Sequence, residues 1–264
     1  MAKSSAEERQ AKIMELLADN GTMRAIDIAG YFHVSRETIR RDLNALSESG
    51  SIKKVFGSAT PIQDFNISPI NSRIIDNAYA KQSICEKALE FVTPKSVLFL
   101  DTGSTTLCMA KLLKTQSNLT IITNSIPVVN ELIDSDNELV LTGGSVNPKI
   151  QCTTGMQSDD FLEKIKTDIA ILGSSGFYHH KGPTSNHFDD LQIKKLAVRN
   201  AATSIVLADS SKASVSALMQ YAEWKDIDYL ITDDAMPDEM FHELKSITNV
   251  IKVPIETTGG KQDD

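Results

Sequence analysis

No apolar run in this sequence approaches the roughly 20 residues that a membrane span requires. Met1 to Gln10 is polar and lacks the hydrophobic stretch of a signal peptide. Cysteine is scarce: Cys85, Cys108 and Cys152 are an odd, scattered set without CxxC spacing. That argues against a disulfide framework or a zinc site and suits reduced, mostly buried thiols in a cytoplasm. Neither a Ser/His/Asp order nor an HExxH motif is present. Aromatic residues are few, and Trp224 and Tyr221 read as packing or surface rather than as a base-stacking platform. His179, His180 and His187 share one loop, yet no Cys or regularly spaced carboxylate completes a metal set, so the loop reads as solvated. The expectation is a cytoplasmic protein with no metal, no cofactor and no membrane partner.

What is present suits two domains, one small and one large, in a chain of 264 residues. The net charge of −8 is unevenly spread. Met1 to Thr60 holds nine Lys/Arg against eight Asp/Glu, whereas the remainder holds 18 against 27. An acidic body with a near-neutral head is compatible with nucleic-acid binding if the head's cations gather on one surface.

Three short helices are expected in the head. Ala6 to Asp19 has apolar residues at helical spacing (Ile13, Leu16, Leu17) and stops at Asn20-Gly21. A second helix runs from about Arg24 to Phe32. After His33-Val34, Ser35 is a candidate N-cap for a third helix over about Arg36 to Ser47. There Ile39, Leu43 and Leu46 form one inward stripe, which turns Glu37, Arg41 and Asn44 outward with Arg36, Thr38 and Arg40 on the flanks. Cations and hydrogen-bonding groups near a helix start are what a recognition helix offers to base edges and phosphates. Ser51 to Gly57 reads as a wing strand carrying Lys53 and Lys54 for phosphates. Spacing alone leaves open a three-helix accessory domain with a merely solvated face.

Pro61 to about residue 75 reads as a linker, with a helix over Asp76 to Phe91. Strands and helices then alternate. Strands are expected at Ser96–Leu100, Leu119–Thr123, Glu138–Thr142, Asp168–Leu172, Ser204–Ala208, Tyr229–Thr232 and Val250–Val253. Helices are expected at Thr106–Leu113, Pro127–Asp134, Asp189–Ala202 and Pro237–Leu244. This pattern predicts an α/β fold with a mainly parallel sheet covered on both faces, over 76–255. The polar tail, Glu256 to Asp264, is expected to be disordered. Ligands of such sheets bind beyond the carboxyl ends of the strands. Small polar residues collect there: Asp101 with Gly103, Ser104, Thr105 and Thr106; Thr123, Asn124 and Ser125; Gly143 and Gly144; Asp209 and Lys212. The GSTT hydroxyls and the free amides of the following helix could cradle a phosphate.

The run Val34-Ser35-Arg36-Glu37-Thr38-Ile39-Arg40-Arg41-Asp42-Leu43, with Leu46 and Gly50, resembles the DeoR family of bacterial regulators and its VSxxTIRRDLxxLxxxG pattern. Asp101-x-Gly-Ser-Thr-Thr, Thr123-Asn-Ser, Gly143-Gly144, the spaced Asp190 and Lys194, and Asp209-Ser-Ser-Lys212 are similar to the family's effector domain, in the same order. The resemblance spans about Glu7 to Val253. It implies a winged helix-turn-helix over 1–60 and a Rossmann-like sensor related to ribose-5-phosphate isomerase that binds phosphorylated sugars or sugar alcohols. By the same resemblance, Gly103 to Thr106 would hold phosphate. Asp101, Asn124, Asp209 and Lys212 would face the sugar or support the loops, and Lys194 would add charge. Several positions depart from the family pattern: Gly57-Ser58-Ala59 for Gly-Gly-Ala, Pro183 for Leu, Asp190 for Glu, and Ala213 for an aromatic residue.

The implied protein is a repressor of a carbohydrate-utilisation operon. It would bind double-stranded operator DNA as a homodimer or homotetramer and release it when a phosphosugar binds. Two other readings stand beside it. One is a sugar-phosphate isomerase using Asp101, Asp190 or Asp209 as base, and the other is an architectural DNA-binding protein without a ligand.

Overall fold

Helix-period apolar residues organise the first unit of the chain. The computed structural model describes residues 6–20, 23–48, 52–55, 58–61 and 70–255, which fall into two units split between Asn66 and Ile67. In the first, α1 (Ala6–Asn20), β1 (Met23–Arg24), α2 (Ala25–Tyr31) and α3 (Arg36–Glu48) precede a hairpin of β2 (Ile52–Val55) and β3 (Ser58–Pro61). Ile13, Leu17, Ile28, Ile39, Leu43 and Ile52 bury almost completely and form its core. The wing has more strands than expected: β3 pairs antiparallel with both β2 and β1. Two residues of β1 and the four of β3 are too short to show a period of two.

The second unit opens with α4 (Ile70–Ile75) and α5 (Ala78–Leu89). Residues 70–75 were expected in the linker, but Ile70 is buried in the sheet's core and carries α4 with it. Residues 62–69 and the tail 256–264 lie outside the described residues. The expected helix over Asp76 to Phe91 is shorter because Asn77 adopts the left-handed conformation (φ 51°) between α4 and α5. Asparagine tolerates this region better than most residues.

The chain continues through β4 (Val97–Leu100), α6 (Ser104–Leu113), β5 (Thr120–Thr123), α7 (Ile126–Leu132) and β6 (Glu138–Leu141). A small hairpin follows, β7 (Ser145–Asn147) and β8 (Cys152–Thr154), then α8 (Met156–Glu163) and β9 (Thr167–Gly173). Besides three short 3-10 helices (Phe188–Asp190, Ser210–Ser214 and Trp224–Asp226), the remaining elements are β10 (Thr184–Ser185), α9 (Leu191–Asn200), β11 (Ala201–Leu207), β12 (Met219–Gln220), β13 (Tyr229–Asp233), α10 (Asp238–Lys245) and β14 (Asn249–Val253). Residues 201–202, expected to end a helix, begin β11.

Seven strands make one parallel sheet in the order β14-β13-β11-β9-β4-β5-β6. Leu98, Leu100, Ile121, Ile171 and Ile205 bury on one side and Phe99, Ile122, Ala170, Leu172 and Val206 on the other. Burial of both faces explains why these strands read as continuous apolar runs. The order reverses between β4 and β9. A doubly wound sheet opens a crevice at such a point, beyond the strands' carboxyl ends.

Candidate functional site

The reversal puts Asp101, directly after β4, beside Gly173 at the end of β9. The Gly173 amide donates to Asp101 Oδ2 at 3.0 Å. Lys194 on α9 donates to the same oxygen and stands 3.8 Å from Asp190 Oδ2. All three side chains are at least 95% buried. Burial works against the Lys194 charge, but Asp101 and Asp190 outweigh it and raise its pKa, so the ammonium holds its proton. Burial pushes Asp190 upward despite Lys194. Ser185 donates to Asp190 Oδ1 at 2.7 Å. Tyr221 lies under the lysine, its ring centroid 5.3 Å from Nζ, and its hydroxyl donates to the Gly173 carbonyl at 2.9 Å. Tyr221 and Trp224 are buried, as packing residues should be, yet Tyr221 also belongs to this site.

Next along the rim, Gly103 leads into α6. Helix geometry leaves the amides of Ser104, Thr105 and Thr106 without a carbonyl inside the helix. Thr106 Oγ1 turns back to the Gly103 carbonyl at 3.1 Å, and Thr105 accepts the Cys85 thiol at its carbonyl at 3.3 Å. After β5, Thr123 Oγ1 donates to the Leu100 carbonyl (2.6 Å) and accepts the Ser125 amide (3.0 Å). Ser125 caps α7 through Val128 N, and Asn124 Nδ2 reaches the Thr153 carbonyl at 3.4 Å. After β11, Asp209 Oδ1 accepts from Asn77 Nδ2 at 2.9 Å and from the Ser211 amide at 3.2 Å. The Lys212 amide bonds the Asp209 carbonyl.

Three buried acceptors on this rim have no partner: Asp101 Oδ1, Asn124 Oδ1 and Asp209 Oδ2. Strands β11, β9, β4 and β5 are consecutive, so the three follow strand ends spread over about 14 Å at ordinary strand spacing. Gly143 and Gly144 follow β6, the edge strand next to β5. Both have positive φ (76° and 106°), and a Cβ on Gly144 would lie 2.5 Å from the Thr154 carbonyl oxygen. With Ser158 donating to the Gly143 carbonyl, they shape the turn into β7.

Sequence reasoning missed several members. Lys81 on α5 is 4% exposed and donates to the Arg73 and Asp76 carbonyls. It occupies the apolar stripe of Ile84, Cys85 and Ala88, and a lysine at such a position was the available signal. His187 was read with its loop as solvated, but its Nε2 is buried and unpartnered. Burial lowers its pKa, and the neighbouring cations Arg73, Lys194 and Lys149 add to this. Cys152, pushed up to about 12 by burial and by Asp190 and Asp101, is an inert thiol.

In the first unit, Ser35 Oγ accepts the Thr38 amide at 3.1 Å and caps α3. Arg40 pairs with Glu37 through two contacts of 2.8 Å, and Arg41 Nε stands 3.7 Å from Glu37. All three side chains are more than half exposed. Arg36 is exposed and Asn44 half-buried on the same helix. Asp42, inside the recognition segment, is buried and held by Arg9 at 2.6 and 3.1 Å, which fastens α1 to α3. Lys53 and Lys54 lie on β2, opposite Thr60 and Ala59 of β3.

Comparison with known proteins adds an independent line. Residues 9–65 match the DeoR-like helix-turn-helix domain, and residues 76–234 match the DeoR C terminal sensor domain. The chain is 32% identical over 248 residues to the HTH-type transcriptional regulator GolR of Listeria innocua, covering 93% of this chain and 98% of the relative. It is 29% identical over 232 residues to the glycerol-3-phosphate regulon repressor of Escherichia coli, covering 87% and 92%. A solved ribose 5-phosphate isomerase A of Methanocaldococcus jannaschii overlaps 54% of each chain at 19% identity, with a TM-score of 0.38. Among the described residues, no helix is long and apolar enough to cross a membrane.

Proposed function

Because this chain belongs to the DeoR family of helix-turn-helix transcriptional regulators, we propose that it represses a carbohydrate-utilisation operon under the control of a phosphorylated sugar or sugar alcohol. The three unpartnered acceptors along the rim, Asp101 among them next to the start of α6, carry this reading. Buried polar atoms rarely stay unpaired, and carboxylate and amide oxygens can be satisfied only by donors. A polyol supplies several hydroxyl donors at once. The free amides of Ser104, Thr105 and Thr106 ask for the opposite, an anion. A phosphate on one end of a polyhydroxylated chain meets both demands. The relative named for glycerol-3-phosphate is consistent with that chemistry.

In this reading the phosphate sits on Gly103 to Thr106 with Lys212 and Lys81 near it. Asp101, Asn124 and Asp209 take hydroxyls, while Lys194 and Asp190 fix Asp101. Thr123 and Ser125 hold the Asn124 loop, and Gly143 and Gly144 shape the far rim. The head reads operator DNA through α3, with Ser35, Arg36, Thr38, Arg40, Arg41 and Asn44 facing the duplex and Lys53 and Lys54 on phosphates. Glu37 orients the arginines. One short helix reads few base pairs, so the chain acts as a homodimer or homotetramer. Phosphosugar binding switches DNA affinity only if the two DNA-binding states bind the sugar unequally. Release on binding is the expected sign.

A thermal-shift panel of phosphorylated sugars and sugar alcohols tests the sensor, paired with gel shifts on DNA flanking the chain's own gene. Ser104→Asp and Lys212→Ala should bind that DNA normally yet no longer release it with the panel's best compound. Release at the wild-type concentration would show the pocket to be misplaced. Turnover of any panel member at enzymatic rates would contradict a purely regulatory role.

A further inference from the structure

The Asp209 loop is tied to the segment that leads back toward the head. Asn77 stands at the junction of α4 and α5: its carbonyl accepts the Lys81 amide at 3.0 Å, and its side chain reaches Asp209 Oδ1 at 2.9 Å and Ser211 Oγ at 3.4 Å. Lys81 grips the same junction from the other side, donating its ammonium to the Arg73 and Asp76 carbonyls at the end of α4. Terminal helix carbonyls have no intrahelical donor, and a buried cation is a strong partner for them. The end of α4 is therefore held by two side chains, one of them fixed to the sensor rim.

We infer that Asn77 and Lys81 form a clasp through which occupancy of the Asp209 loop sets the position of α4, the first helix of the sensor unit. The inference rests on the sensing role proposed above. A carboxylate is planar, so its two oxygens move together. Asp209 Oδ2 is buried and unpartnered, whereas Oδ1 holds Asn77 and both the amide and the hydroxyl of Ser211. A hydroxyl taken up by Oδ2 rotates the group, and Oδ1 must then carry Asn77 along or release it. Either response reaches α4, because Asn77 lies two residues beyond it. A sub-ångström change at the sugar thus becomes a choice between a fastened and a loosened helix.

Hydrogen exchange on the full chain tests this. Asn77→Gly keeps the left-handed backbone and deletes the side-chain amide. Without any phosphosugar, amides at 70–76 should exchange at least about tenfold faster in this variant, while those of β4 and β9 stay unchanged. Asn77→Asp, which sets a second carboxylate against Asp209, should do the same. Unaltered exchange at 70–76 in both variants overturns the clasp. With the phosphosugar that most raises the wild-type thermal midpoint, exchange at 70–76 should change in the wild type and not in Asn77→Gly. An equal change in both also overturns it. A panel with no hit defeats the sensing role instead, and the phosphosugar-free exchange still decides the clasp.

Discussion

Helix α3 and the carboxyl edge of the sheet both carry charge, but they hold it in opposite ways. On α3, Arg40, Arg41 and Glu37 are more than half exposed and lie within one helical turn of one another. At the sheet edge, Lys194, Asp101 and Asp190 are almost wholly buried and come from two distant stretches of chain. Exposed pairs are screened, weak and readily exchanged for a polyanion. Buried ones gain little net stability after desolvation but are fixed and intolerant of a missing partner. One arrangement suits a long, repetitive ligand such as DNA, met at the surface. The other suits a small ligand that must fit.

The comparison predicts its largest effect at Lys194. Lys194→Met leaves Asp101 and Asp190 buried together without a cation, and breaking such a pair costs about 3–5 kcal/mol. In the wild type the lysine's raised pKa keeps its contribution in place at neutral pH, to be lost only as pH climbs through that raised value. In the variant the carboxyl groups dominate. Asp190 is already raised by burial, and a raised carboxyl stabilises at low pH and loses that contribution as pH rises through its folded pKa. The deficit in thermal midpoint should therefore be larger at about pH 8 than at about pH 5. Equal deficits at both would mean that the carboxylates find other partners, and the contrast with α3 would weaken.

The seven strands of the main sheet were legible in the sequence, the inner ones because burial on both faces makes them continuous apolar runs, while the edge strands β6 and β14 keep polar or exposed positions. The four short strands β7, β8, β10 and β12 were not, since two or three residues carry no periodicity. Asp101, Asn124 and Asp209 were legible as polar residues at strand ends. Asn77 and Tyr221 were not, because their roles come from partners 132 and 48 residues away. Lys81 could have been found, as a cation in an apolar stripe. Asp42 read as part of a DNA-binding motif, and its ion pair with Arg9 shows the same residue serving the head's own packing.

A second effect is read at the surface. Arg40→Ala and Arg41→Ala should each leave the fold's thermal midpoint unchanged, since neither side chain is buried. Each should weaken DNA binding about tenfold and flatten the dependence on salt by about one counterion. Gel shifts at several salt concentrations check this. A variant with full affinity and the wild-type salt slope would remove that arginine from the interface.

The smallest effect separates local from tertiary support within the head itself. Ser35 caps α3 through the Thr38 amide, a bond made within a single turn. Ser35→Ala should cost about 1 kcal/mol and Ser35→Gly only a few tenths, because glycine leaves the helix-start amides open to water. Exchange rates of amides in the first turn of α3 report this directly. If alanine and glycine prove equally harmless, then α3 owes its start to the packing of Ile39 and Leu43 and to the Arg9–Asp42 pair. The head would then rest on distant contacts as much as the sensor does, and the contrast between the two units would lie only in how exposed their charges are.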